Sequence, residues 1–112
     1  MAMNRFLVVT SQYIPGYRIV NVLGLVSGLT ARTRGVGGKF LGGLQSMAGG
    51  EVSAFTEEML RARDEAYGRI VGQARSMGAN AIVALDFETS EIFDSVVLIS
   101  ATGTAVIVEP ER

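Results

Sequence analysis

Three carboxylates crowd the last third of the chain, Asp86, Glu88 and Glu91, with Asp94 close behind. On a strand, residues two apart project to one face, so Asp86 and Glu88 are expected side by side, and Glu91 or Asp94 can return beside them across a polar turn. Converging carboxylate oxygens would suit a hard divalent cation such as Mg²⁺ or Ca²⁺, although no calcium-loop spacing is present and a solvated strand end is the plainer reading. Paired carboxylates also serve in glycoside cleavage, but nothing in so short a chain suggests a sugar-binding cleft. The sequence contains no histidine and no cysteine. That removes the preferred ligands of heavy metals, the usual general base, and every disulfide or thiolate. Serine and threonine are abundant, yet they lack a histidine base or a Ser-x-x-Lys arrangement to activate them. No catalytic residue is identified, and no resident cofactor beyond a carboxylate-held metal is expected.

The cationic candidates fall in two places. Helical spacing puts Arg63 beside Met59, Ala66 and Ile70, within an apolar stripe, where it should be at least partly buried. A guanidinium so placed needs a carboxylate, and Asp86, Glu88 or Glu91 on the following strand could supply one. A structural or interface ion pair is therefore expected of Arg63, with anion binding as the alternative, and Gln73 borders the same stripe with the same structural reading. Arg32, Arg34 and Lys39 punctuate a segment, 32–43, with five glycines in twelve residues. Gly38-Lys39 invites comparison with a phosphate-binding loop. It fails, because Thr33 stands where the first glycine belongs and Phe40 where serine or threonine belongs. Repeated around an oligomer, the three cations could still form a rim that attracts a small anion. Amides at the helix start near Gly49-Gly50 would add to that attraction, while Glu51 and Glu57 oppose it.

The elements that must position these residues can be read in order. Phe6–Val9 is a short strand closed by the turn residues Pro15-Gly16. From Tyr17 to Arg32 the sequence alternates with apolar residues on both parities, as a long strand or strand pair, with Tyr17, Ile19, Leu23, Leu25 and Leu29 on one side and Gly24 and Gly28 as bends or bulges. Glu51 to Met77 is an amphipathic helix, its Val52, Phe55, Met59, Ala62, Ala66, Ile70, Ala74 and Met77 recurring every three or four residues. Glu57, Arg61, Glu65 and Arg69 form a charge ladder on its opposite, solvent face. Gly78 is placed for a left-handed cap. Ala81 to Glu88 reads as a strand passing from buried to exposed, Glu91 to Asp94 as a turn, and Ser95 to Val108 as a strand covered on both faces.

A chain of 112 residues without a linker-like stretch makes one domain, 1–112, of the α/β (α+β) class, with a two-layer, antiparallel-rich sheet and one long helix. It is 48% hydrophobic and 19% charged, which is greasy for a small monomer. One helix covers one sheet face, so the other must meet a second copy or fold back on itself, and the apolar surplus favours the second copy. A net charge of −1 offers no general attraction to nucleic acid or anionic lipid. With neither a signal-peptide pattern nor a long apolar run, a cytoplasmic location is expected.

Gly24-Leu-Val-Ser-Gly28, Gly49-Gly50, Ala62-Arg63 with Ala66, Gly78-Ala-Asn-Ala81 and Ala101-Thr-Gly-Thr-Ala-Val106 together resemble the YbjQ-like family of small bacterial and archaeal proteins, labelled heavy-metal-binding. The similarity runs from about Thr10 to Val108. It implies a two-layer subunit in a ring-shaped homopentamer and transfers no catalytic residue. The function expected is thus a non-enzymatic, homo-oligomeric binding or scaffold module. The alternative is a metal-binding protein using carboxylates.

Overall fold

A computed structural model describes residues 5–33, 50–93 and 96–111, with the backbone alone at 33, 50–55 and 93. Strands β1 (Leu7–Val8) and β2 (Tyr17–Thr33) precede helix α1 (Gly50–Ser76), which is followed by β3 (Ala81–Phe93) and β4 (Val96–Pro110). The sheet order is β1-β3-β4-β2. β1 runs parallel to β3, and both the β3–β4 and β4–β2 pairs are antiparallel. The sheet is therefore mixed, with three long antiparallel strands and a short parallel arm at one edge.

The helix matches its periodicity to within a residue at each end. It stops where Gly78 takes φ +91°, with Gly78 N–H donating to the Arg75 carbonyl at 3.0 Å and Ala79 N–H to the Ala74 carbonyl at 3.1 Å. This pair of bonds satisfies two of the last helical carbonyls, and only a residue at ease with positive φ permits it. Ala62, Ala66, Ile70 and Ala74 are fully buried against Val26, Ile82, Leu85, Val97, Ile99, Ala101 and Ala105. Three alanines on the contact line bring the helix backbone down onto the sheet, and Gly28 is where it lands. A Cβ on Gly28 would stand 2.3 Å from the Ala66 carbonyl oxygen. Gly28 thus marks a close approach, not the expected bulge.

Bulges do occur in β2, between Ile19 and Asn21 and between Val22 and Gly24, where Gly24 takes φ +137°. Each extra residue shifts the side-chain alternation by one. As a result Ile19, Val22, Leu25 and Leu29 pair with Val108, Val106, Thr104 and Ser100, all of one parity on the unbroken β4, and so share the face away from the helix. Leu23 instead packs into the helix-side core. The expected parity set, with Leu23 beside Leu25, is corrected by these bulges.

The arm before β2 folds over one end of the second face, where Ile14 is buried with Ala81, Val83, Val106 and Val108. Among the described residues nothing covers the rest of that face. Asn80 ties the arm and the sheet together: its carbonyl accepts from Leu7 N–H at 3.3 Å and its N–H donates to Val106 at 3.2 Å. Its side-chain amide donates to the Val108 carbonyl at 3.0 Å and accepts from Val108 N–H at 2.8 Å, adding one more rung to the ladder.

β3 extends through Phe93, so Glu91 to Phe93, expected in a turn, are strand, and Asp94 lies outside the described residues. Continuous pairing with β4 holds Thr89, Ser90 and Glu91 in the strand despite their modest strand preference.

Candidate functional site

A bulge in β3 decides which side chains meet the helix. Between Val83 and Asp86 the register slips, and Ala84 adopts φ +58°, unique among the described non-glycine residues. The left-handed region costs an alanine roughly 1 kcal/mol. It is held there by two bonds to the arm, Ala84 N–H to the Ser11 carbonyl at 2.7 Å and Leu85 N–H to the Val9 carbonyl at 3.0 Å. The extra residue reverses the alternation, turning Leu85 and Phe87 toward α1 and Asp86 and Glu88 away from it. Between the arm, α1 and β3 there opens a cleft of about 360 Å³, lined by Val8, Val9, Thr10, Arg63, Asp64, Tyr67, Leu85 and Phe87. Its size falls at the small end of the range for organic ligands.

Arg63 stands on the wall of this cleft. It is exposed, not buried, and among the described residues it has no carboxylate partner. Its guanidinium carbon lies 4.8 Å from the centre of the Phe87 ring, a cation–π contact. The expected ion pair to Asp86, Glu88 or Glu91 is not formed among the described residues, and Asp86 and Glu88 face away across the bulge. The expected carboxylate trio fails for a related reason. Asp86 and Glu88 share a face opposite Thr102 and Ser100, but the strand continues without a slip to Glu91 opposite Val97, which puts Glu91 on the other face.

Gln73 and Arg32 hold β2 to the helix. Gln73 accepts the Ser27 N–H at 2.8 Å, and Arg69, one turn earlier, donates to the Leu29 carbonyl. Both backbone groups point outward from edge strand β2, so α1 occupies part of that edge. Arg32 reaches Glu58 at 2.6 Å and Glu65 at 3.0 Å. Glu65 also accepts from the buried Thr30 hydroxyl, and Arg61 bonds Glu58 at 2.9 Å. The helical charge ladder is thus partly inward: Glu65 and Arg69 serve β2, because the helix sits toward the β2 side of the sheet. Arg32 spends its charge on this clamp and is not a free rim cation. Arg34 and Lys39 lie outside the described residues.

The clamp sets a pH dependence. Hydrogen bonds from Arg61 and then Arg32 hold the Glu58 carboxyl below the usual glutamate range, and those from Thr30 and then Arg32 do the same for Glu65, against the upward push of desolvation. A carboxyl whose folded pKa is depressed lends stability above its unfolded pKa and withdraws it as pH falls through the folded one. The melting temperature is therefore expected to hold from about pH 7 to about pH 5 and to decline below about pH 4. Glu65→Gln should lie lower at neutral pH and decline less steeply in acid. Thermal melts across pH check this, and parallel curves for parent and variant would count against it.

The fold is a two-layer α+β unit in which one helix covers a four-stranded mixed sheet, with a side cleft at the short arm. The chain belongs to the YbjQ family, described as "Putative heavy-metal-binding", whose sequence profile matches residues 6–109. It is 44% identical over 108 residues to a UPF0145 protein of Picrophilus torridus, covering 96% of this chain and 92% of that one. It is 47% identical over 104 residues to a UPF0145 protein of Methanothermobacter thermautotrophicus, covering 93% and 91%. A crystal structure from Pediococcus pentosaceus, of a protein of unknown function in the DUF74 family, superposes with a TM-score of 0.62 at 15% identity, covering 93% of this chain and 98% of that chain. This last likeness concerns the fold alone.

The heavy-metal description does not fit the donors present. Soft and borderline metals favour thiolate and imidazole, and the sequence has neither cysteine nor histidine. Among the described residues no three carboxylates come together as a metal site.

Proposed function

We propose that this chain is a non-enzymatic binding module that works as a homo-oligomer, a cytoplasmic ring of five copies, with small molecules and not nucleic acid or membranes as its ligands. The observation that carries the reading is the apolar row on β2. Ile19, Val22, Leu25 and Leu29 are 38%, 62%, 82% and 49% exposed, and all lie on the sheet face that the helix leaves bare. Aligned exposed aliphatics of this kind are costly in water and typical of a subunit interface. Beyond them the same face turns polar through Thr104, Thr102 and Ser100 to Asp86 and Glu88, which gives a contact zone a defined margin. The number five follows from the family resemblance, and the absence of a helix long and apolar enough to span a membrane among the described residues agrees with a role in water.

Native mass spectrometry tests the reading. The parent should appear as a pentamer, and Leu25→Lys combined with Leu29→Lys should shift it to monomer while circular dichroism stays unchanged. A monomeric parent at micromolar concentration would overturn the assembly.

A further inference from the structure

The geometry points to the cleft beside the arm as a binding site for a small zwitterion with an apolar body, of which an α-amino acid with a hydrocarbon side chain is the simplest case. The inference names a ligand class for the binding half of the reading above.

Two opposite charges, neither of them neutralised, meet in this cleft. Arg18, Arg32, Arg61 and Arg69 each have a glutamate partner. Arg63 has none among the described residues, nor has Asp64, which follows it on the helix and lines the same cleft. They cannot neutralise each other readily, because consecutive helical residues diverge by about 100° around the axis. Phe87 engages Arg63 through a cation–π contact at 4.8 Å, and no carboxylate among the described residues takes its guanidinium N–H groups, which suit a carboxylate bound in bidentate fashion. Asp64 offers the complementary acceptor for an ammonium group.

The pairing of charges selects the ligand. A plain carboxylate drawn to Arg63 meets repulsion from Asp64, and a plain amine meets the reverse. A molecule that carries an ammonium and a carboxylate on the same carbon offers each of them its opposite charge. Its remaining body would lie on Val8, Val9, Leu85 and Phe87, where hydrocarbon gains roughly 25 cal/mol per Å² removed from water. The Tyr67 hydroxyl and Thr10 add polar groups at the wall. Leu85 and Phe87 are on this side only because of the strained bulge at Ala84, and backbone strain of this sort gathers where a site must be shaped.

Isothermal titration of the protein as purified, with L-leucine, L-methionine and L-phenylalanine as probes, tests the assignment. At least one should bind more tightly, by about tenfold, than its counterpart lacking the amine or lacking the carboxylate, such as 4-methylpentanoate or 3-methylbutylamine for leucine. Arg63→Met should weaken that amino acid by about tenfold, with Arg63→Lys between parent and Met. Asp64→Asn should bring the amino acid and its amine-free counterpart to equal affinity. Both residues are exposed, so melting temperatures of the variants should stay near the parent's. The assignment is overturned if no probe binds up to about 10 mM, a concentration that would detect even a very weak site. It is equally overturned if the amine-free acid binds the parent as well as the amino acid does, or if Arg63→Met binds like the parent. Mass spectra of the same samples report assembly separately, so a failed ring and an empty cleft are distinguishable.

Discussion

Gly28→Ala is expected to destabilise the protein by about 3 kcal/mol, the upper part of the usual range for overpacking. The added methyl would lie 2.3 Å from the Ala66 carbonyl oxygen, 2.8 Å from Ile70 N and 3.1 Å from Arg69 Cβ. The first two are helix backbone and cannot rotate aside, so α1 must lift from the sheet. Lifting it loosens Ala66 and Ile70 from the core and stretches the bonds that Arg69 and Gln73 make to β2. Gly68→Ala is the matched control: nothing lies within 4 Å of its new methyl, and alanine is favoured over glycine in a helix interior by about 1 kcal/mol. Urea unfolding at one fixed protomer concentration should thus move in opposite directions for the two variants. A Gly28→Ala protein within about 0.5 kcal/mol of the parent would show that the close approach is not limiting.

Asn80→Ala should cost about 2 kcal/mol, near the sum of two hydrogen bonds of ordinary net worth. The side chain supplies both partners of Val108, whose own side chain is buried in the second core cluster. Truncation leaves the Val108 N–H and carbonyl without these partners, and a backbone group deprived of its partner in a half-buried place is costly. Asn80→Asp keeps the acceptor but loses the donor, and sets a charge beside the Val108 carbonyl. It should be no better than alanine. Hydrogen exchange at Val108 gives the local readout, and protection equal to the parent's in Asn80→Ala would refute the role.

The parts of this molecule that were legible in its sequence are those governed by local periodicity. The helix and its glycine cap could be read because a 3.6-residue stripe and a residue tolerant of positive φ leave marks within a short window. The strand β2 was legible as a strand but not in phase, since two bulges depend on pairing with β4 some eighty residues later. For the same reason Asp86, Glu88 and Glu91 look convergent in the sequence: the alternation of Asp86 and Glu88 holds, but no turn follows Glu88 to bring Glu91 back. The place of Arg63 beside an apolar stripe marks it in the sequence, and it does sit at the cleft. Its exposure could not be read, because the helix leans toward β2 and uncovers that flank. Asp64 and Tyr67 were missed altogether, being ordinary polar residues of an amphipathic helix until the arm and the Ala84 bulge bring apolar walls beside them. The notion of a basic rim was weakened by Glu58 and Glu65, which are distant in sequence from Arg32 and adjacent to it in space.

The two side chains that α1 lays on the outer edge of β2 bear on how open that edge is to strand addition. A strand of seventeen residues at a sheet edge is a long template for endless addition of further strands, one copy after another. Arg69 and Gln73 take the outward carbonyl of Leu29 and the outward N–H of Ser27, so an incoming strand finds its rungs already filled in the middle of the template. What is left on either side is shorter and interrupted, toward Tyr17, by bulges. The helix that stabilises one subunit thereby also shortens the free edge on which open-ended strand addition could proceed.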